Sequence, residues 1–137
     1  MNQATEKDFE LIRQFIHKFE LDDRELEQHQ FLAAKEKNEL LGFGRIRVRE
    51  NCYELCSLGV TEPNRLQGLG KKLVSDLILK ASGPLYLVCI IPGFFTPFGF
   101  KVVSDYPAEM QEKLDYCTSE LIVPETYVVM KYVNFTV

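Results

Sequence analysis

The sequence predicts an α+β fold on a mixed sheet, and three observations predict it. An amphipathic helical pattern opens the chain. Three strand-like segments joined by two short turns follow. A glycine-rich junction then links strand to helix to a second, almost wholly apolar strand. A meander pairs its strands antiparallel, whereas a strand–helix–strand crossover of this length joins parallel strands, so both pairings belong to one sheet.

The first helix is written in ATEKDFELIRQFIHKFEL. Thr5 followed three residues later by Asp8 has the form of a capping box. Phe9, Ile12, Ile16 and Phe19 recur at helical spacing, with Phe15 beside them. Asp22 is expected to cap a short second helix, DRELEQHQ. His17 and His29 read as solvated side chains and take no assigned role. QFLAAKEK is extended, Asn38-Glu39 turns the chain, and LLGFGRIRVRE returns it. Alternation in that strand puts Phe43, Arg45, Arg47 and Arg49 on one face and Gly44, Ile46 and Val48 on the other. Glu50-Asn51 turns again into CYELCSLGV, the third strand of the meander.

In GKKLVSDLILKA, Leu73, Leu77 and Leu79 or Lys80 alternate with polar residues at helical spacing, Val74 and Ile78 join the apolar face, and Ser82-Gly83-Pro84 ends the helix. LYLVCII has the composition of a strand covered on both faces. PGFFTPFGFKVV is turn-rich and dense in phenylalanine. YPAEMQEKLDYC holds one or two helical turns, and TYVVMKYVNF is the final strand. No repeat, low-complexity run or linker interrupts residues 1–137, which read as a single domain.

Composition excludes several classes of function. Hydrophobic residues make up 46% and charged residues 26% of 137 positions, ordinary proportions for a globular core. A net charge of -4 argues against a broad nucleic-acid face. Met1 to Asp8 carries no apolar stretch of the signal-peptide kind, and no run approaches the ~18 apolar residues of a membrane span. A cytoplasmic location, without membrane or nucleic-acid partners, is therefore expected. Cys52, Cys56, Cys89 and Cys117 form no C-x-x-C pair and have no histidines nearby, so reduced buried thiols are expected and no metal.

The stretch RLQGLG, residues 65–70, carries the chemistry. A strand feeds a helix here, and the first-turn amides of a helix have no partners inside it. They point into the loop with partial positive charge. Gly68 and Gly70 remove side chains, so a ligand can approach the backbone, and Arg65 with Lys71 or Lys72 adds formal charge. The product is a cradle for a phosphate or diphosphate. It is not a Walker A loop, because Arg65 stands where the first glycine belongs and Lys72 where Ser or Thr belongs. Nor is it the dinucleotide fingerprint, which needs a third glycine where Leu73 stands and a βαβ unit opening the sheet.

R-x-x-G-x-G between a strand and a helix resembles the [QR]-x-x-G-x-[GA] signature of the GCN5-related N-acetyltransferase (GNAT) family. Three further segments are similar to it, in order. NQATEKDFELIRQFI resembles the family's opening helix, YELCSLGVTEPNRLQGLGKKLVSDLI its central strand–loop–helix, and FFTPFGFKVV its F-[YF]-x-x-x-G-F segment. The resemblance implies an acyl-CoA N-acyltransferase-like fold: an antiparallel meander followed by a βαβ crossover whose parallel strands splay. It implies acetyl-CoA as co-substrate, with acetyl transfer to a primary amine.

Residue by residue, it implies that the pantetheine arm pairs with backbone at Leu58, Gly59 and Val60. The diphosphate would meet the amides of Arg65, Leu66, Gln67, Gly68, Leu69, Gly70 and Lys71. Phe95 would stand on the cofactor side of the aromatic segment, where many members carry a tyrosine that protonates the departing thiolate. Phe95 has no proton to give, so that acid role falls to water or to Tyr106, Tyr127 or Tyr132. Glu54 in YEL matches the glutamate of an A-E-I stretch in the histone-acetyltransferase branch and is the candidate general base. Alternation sets it on the face of Cys56, Leu58 and Val60. The alternative is a solvated Glu54 with deprotonation through ordered water. The Leu58 or Val60 amide is the natural oxyanion donor. The acceptor is expected to be a small-molecule amine or amino acid, with the Arg45, Arg47 and Arg49 row either receiving a carboxylate or simply solvated. The chain is expected as a monomer or homodimer. A non-catalytic acyl-CoA-binding regulator and a plain interaction domain are the other readings.

Overall fold

The computed structural model describes residues 1–61 and 68–133. The elements run β1 (Asn2–Gln3), α1 (Glu6–Lys18), β2 (Phe31–Glu36), β3 (Glu39–Val48), β4 (Tyr53–Val60), α2 (Leu69–Ile78), β5 (Leu85–Cys89), α3 (Pro92–Phe95), β6 (Phe100–Val102), α4 (Ala108–Glu120) and β7 (Val128–Tyr132). Short 3-10 turns occupy Gln28–Gln30 and Thr96–Phe98. The strands form one mixed sheet in the order β1-β2-β3-β4-β5-β7-β6. This is the predicted α+β fold, with the meander first and the parallel crossover after it. The main chain clusters into two compact units, Met1–Arg47 with Leu55–Lys80, and Val48–Glu54 with Ala81–Val137.

In the first unit, α1 begins at the predicted capping box. The Asp8 amide donates to Thr5 Oγ1 at 3.2 Å, and the Thr5 amide donates to Asp8 Oδ2 at 3.0 Å. The buried face of α1 carries Ile12 and Ile16 onto Phe31 and Phe43 of β2 and β3, with Phe9, Phe15 and Phe19 packed around them. Lys37 and Asn38 both take positive φ, 51° and 66°, which closes the β2–β3 hairpin with the twist its strands require. The β2–β3 ladder is antiparallel and shifts register between Ala34 and Lys35. β3 and β4 are neighbours, with the Thr61 amide donating to Leu41 O. In α2, Leu73, Val74 and Leu77 are buried as predicted, whereas Leu79 is exposed.

DRELEQHQ does not form the predicted helix. The Asp22 carboxylate accepts from the Arg24 amide at 3.0 Å and from its guanidinium at 3.1 Å, which closes a local turn. Glu25 follows with φ 50°, and helical geometry appears only as the Gln28–Gln30 turn. The arginine row also departs from expectation, because it is not solvated. Arg45 is 0% exposed and Arg47 4%.

In the second unit, β4 and β5 pair in parallel through Tyr53 with Leu85 and Glu54 with Tyr86, at the N-terminal ends of both strands. β7 pairs antiparallel with β5 and with β6. α4 runs for 13 residues, longer than the predicted one or two turns. Its buried positions are Met110, Lys113 and Cys117. Met110 joins Cys52, Tyr86 and Val129 in the unit's core. All four cysteines are buried thiols. Burial, aided by the Glu109 charge, pushes the Cys52 thiol up to about 11.

Candidate functional site

The glycine junction opens α2 as the sequence requires. Gly68 is the N-cap residue at φ 71°, ψ 9°, a left-handed conformation that glycine adopts without steric cost. Among the described residues, a Cβ placed on Gly68 would meet nothing within 4 Å. Among the described residues no side chain caps α2, and its first turn holds no acidic residue. The first helical bond runs from the Lys72 amide to Gly68 O at 3.3 Å. Helix geometry therefore leaves the amides of Leu69, Gly70 and Lys71 without intrahelical partners, at the positive end of the dipole. Lys71 and Lys72 are exposed just behind them. Among the described residues, the start of α2 fits a diphosphate: its first-turn amides lack intrahelical partners and its first turn holds no carboxylate. Arg65, Leu66 and Gln67, the other predicted cradle residues, lie outside the described residues.

The predicted pantetheine strand, Leu58–Val60, forms the C-terminal end of β4. Gly42 ties it to the cradle. Gly59 O and Leu69 Cδ2 each lie 3.2 Å from where a Gly42 Cβ would stand, so the strand and the first turn of α2 share one neighbour. Gly59 itself has no room for a side chain, since an added Cβ would lie 2.5 Å from Phe43 Cζ. Leu58 turns the other way and, with Leu77, lies over Gly44. Ser57 precedes these residues at φ 53° inside the strand. The alternation expected to align Glu54, Cys56, Leu58 and Val60 is interrupted there.

Glu54, the predicted base, is 0% exposed and held between two cations. Arg49 Nη1 donates to Oε1 at 2.6 Å, and Lys113 Nζ lies 2.9 Å from Oε2. Arg49 Nη2 also reaches Glu112 at 3.1 Å. Burial works against the Arg49 charge, but its bonds to Glu54 and Glu112 prevail and raise its pKa. Both carboxylate oxygens of Glu54 thus face protein cations, a charge-pairing arrangement rather than an open lone pair.

The predicted carboxylate-receiving row is likewise committed to the protein. Arg47 pairs with Glu25 and lies 3.9 Å from Asp22, and Arg45 bonds Ser57, Gln30 and the Asp22 carbonyl. Phe95 is buried, edge-on to Phe94 at 5.0 Å and to Phe100 at 5.9 Å. Of the spare tyrosines, Tyr106 donates to Gln111 and Tyr127 to Leu121 O, while Tyr132 packs on Phe100. Sequence reasoning missed Lys113 and Ser57. Lys113 carried a signal, since it stands on the stripe of Met110 and Cys117 at helical spacing. Ser57 carried none. Among the described residues, no helix is long and apolar enough to cross a membrane.

Comparison with known proteins converges on one family. The sequence model of the Acetyltransferase (GNAT) family matches residues 2–91. Three solved structures share the fold. Rv2747 from Mycobacterium tuberculosis, in complex with CoA, aligns at TM-score 0.75 and 15% identity over 98% of both chains. N-acetylglutamate synthase from Neisseria gonorrhoeae, complexed with coenzyme A and N-acetyl-glutamate, aligns at 0.73 and 16% over 97% of this chain and 35% of that one. Escherichia coli ElaA aligns at 0.71 and 16% over 96% of this chain and 93% of its own. No curated protein matches in sequence. A family model spanning most of the sequence, on a fold of this topology, shows that the chain belongs to the GNAT acetyltransferase family.

Proposed function

We propose that the protein is an acetyl-CoA-dependent N-acetyltransferase acting on the primary amine of a small molecule or amino acid. The observation that carries this reading is the start of α2, uncapped among the described residues, where Gly68 at φ 71° leads into the amides of Leu69, Gly70 and Lys71. Relatives of the same fold are named as complexes with coenzyme A, and one as a complex with an acetylated amino acid. In this reading the α2 amides hold the diphosphate, with Arg65, Leu66 and Gln67 completing the loop. Backbone at Leu58, Gly59 and Val60 aligns the pantetheine arm. Bound acetyl-CoA supplies the activated acyl group. The Leu58 or Val60 amide donates to the carbonyl oxygen as negative charge develops there. Glu54 serves as an anchor for α4, and the acceptor ammonium gives its proton to water. Phe95 lines the aromatic segment, and the departing thiolate takes its proton from solvent.

A non-catalytic CoA-binding regulator is favoured by two observations, the paired Glu54 and the phenylalanine at position 95. One experiment separates the readings. Acetyl-CoA at 100 times its Kd should raise unfolding stability by about 2.7 kcal/mol. Thiol release across a panel of amines then identifies the transferase. A stability gain without thiol release identifies the regulator, and no gain overturns both.

A further inference from the structure

Ser57 is a strand residue in a conformation that strands do not use. It sits inside β4, Tyr53–Val60, at φ 53°. A side chain there is strained, and such a residue persists only where its surroundings over-determine it. Here they do. Ser57 Oγ donates to Asp22 O at 2.8 Å and accepts from Arg45 Nε at 2.9 Å. Arg45, fully buried, also donates through Nη2 to the same Asp22 carbonyl at 3.2 Å and through Nη1 to Gln30 Oε1 at 2.9 Å. Hydroxyl, guanidinium and carbonyl close a triangle that holds Ser57 through two hydrogen bonds, with the third bond tying its two partners together. The hydroxyl uses one donor and one acceptor, so the lock is specific to its position. The 22–30 segment forgoes a helix to make these bonds, because its carbonyls and Gln30 are turned toward Arg45. The residue that follows the strained one is Leu58, and the bulge resets the direction of every amide after it.

We infer that Arg45 and Ser57 are positioning residues. Their triangle with Asp22 O holds the strained bend in β4 and so aims the Leu58 amide at the acyl carbonyl during transfer. The inference rests on the transferase reading above. It differs from a stabilising role for the same hydrogen bonds, and two substitutions tell the roles apart.

Ser57→Ala removes the lock but keeps a Cβ that disfavours positive φ, so the bend relaxes. Ser57→Gly also removes the lock but adopts φ 53° freely. A purely stabilising hydroxyl leaves kcat of the folded enzyme unchanged in both variants, because glycine relieves the strain at φ 53° whatever the hydroxyl does. Positioning makes glycine the better one. The experiment measures kcat, KM for acetyl-CoA and CoA affinity for wild type and both variants, with the amine taken from the panel. Ser57→Ala should lower kcat by about tenfold or more, as a displaced group does, while CoA affinity, held by the α2 cradle, changes less than about twofold. Ser57→Gly should recover most of that kcat. Equal kcat in wild type and Ser57→Ala, or glycine below alanine, overturns the inference. Absence of CoA binding by wild type overturns the transferase reading instead. Where CoA binds and no amine reacts, hydrogen exchange serves. Bound CoA should protect the Leu58 amide in wild type and Ser57→Gly and not in Ser57→Ala, and equal protection in all three overturns the inference.

Discussion

Lys113 Nζ lies 2.9 Å from Glu54 Oε2, with side chains 4% and 0% exposed. With Arg49 on the other oxygen at 2.6 Å, one buried carboxylate serves two cations. Removing the charge of a buried pair strands its partner, which costs about 3 kcal/mol or more. Glu54→Gln should therefore lower stability to urea by about that amount, and Glu54→Gln with Lys113→Met should recover part of it. The kinetics are decisive for the role of Glu54. Turnover of folded Glu54→Gln at low temperature should stay within about twofold of wild type, whereas a general base would cost about 100-fold or more.

Gly68→Glu should abolish coenzyme A binding. The substitution places a carboxylate at the positive end of α2 and puts a side chain on a residue at φ 71°. A Cβ there meets no described neighbour within 4 Å, so the cost to the fold is the backbone strain of a side chain at φ 71°. Calorimetric titration should show affinity falling by about 100-fold or more, the equivalent of about 2.7 kcal/mol or above. Near-normal affinity would move the ligand elsewhere.

Gly59→Ala should destabilise the protein by about 1–3 kcal/mol through overpacking. The added methyl meets the Phe43 ring at 2.5 Å, and an aromatic ring cannot yield by a small rotation. Phe43→Leu in the same chain should offset part of the loss. Urea unfolding of the two single variants and the double variant gives the coupling between the positions.

Asp8 sets an acid limit on α1. Burial pushes its carboxyl pKa up, but bonds from the Thr5 amide, Lys35 and the Thr5 hydroxyl outweigh it and hold the group below its usual 3.8. A depressed carboxyl binds fewer protons folded than unfolded. Its contribution is complete above 3.8 and is lost as pH falls through the lower folded value. The stability gap between wild type and Asp8→Ala, about 1 kcal/mol or more at neutral pH, should shrink steadily below about pH 4. Urea midpoints measured from pH 7 to pH 2.5 check this, and a gap that widened in acid would contradict it.

What could be read from sequence was what neighbours in sequence decide. Thr5 and Asp8 are three residues apart and form their box, and Asn38 sits in a turn because its backbone tolerates positive φ. The start of α2 was legible because glycine and the strand–helix junction are contiguous. The rest depended on partners far along the chain. Asp22 looked like a helix cap, but Arg45, 23 residues on, draws its carbonyl into a buried network. The alternation of Arg45, Arg47 and Arg49 was visible, yet alternation says nothing about burial. α4 was read as too short because Lys113 breaks the apolar stripe between Met110 and Cys117, and its buried partner Glu54 lies a full 59 residues earlier. The bend at Ser57 had no signature, since serine there replaces the glycine that a pattern search expects.

The four cysteines decide how the reaction can be followed. Each sulfur is shielded by packing, and Cys52 stays protonated through the mildly alkaline range in which thiolate-seeking dyes operate. The native chain therefore adds almost no colour of its own to a disulfide-exchange reagent. In the proposed reaction, absorbance that climbs with time would count the thiol set free, and an abrupt extra jump would announce that the chain itself had come apart.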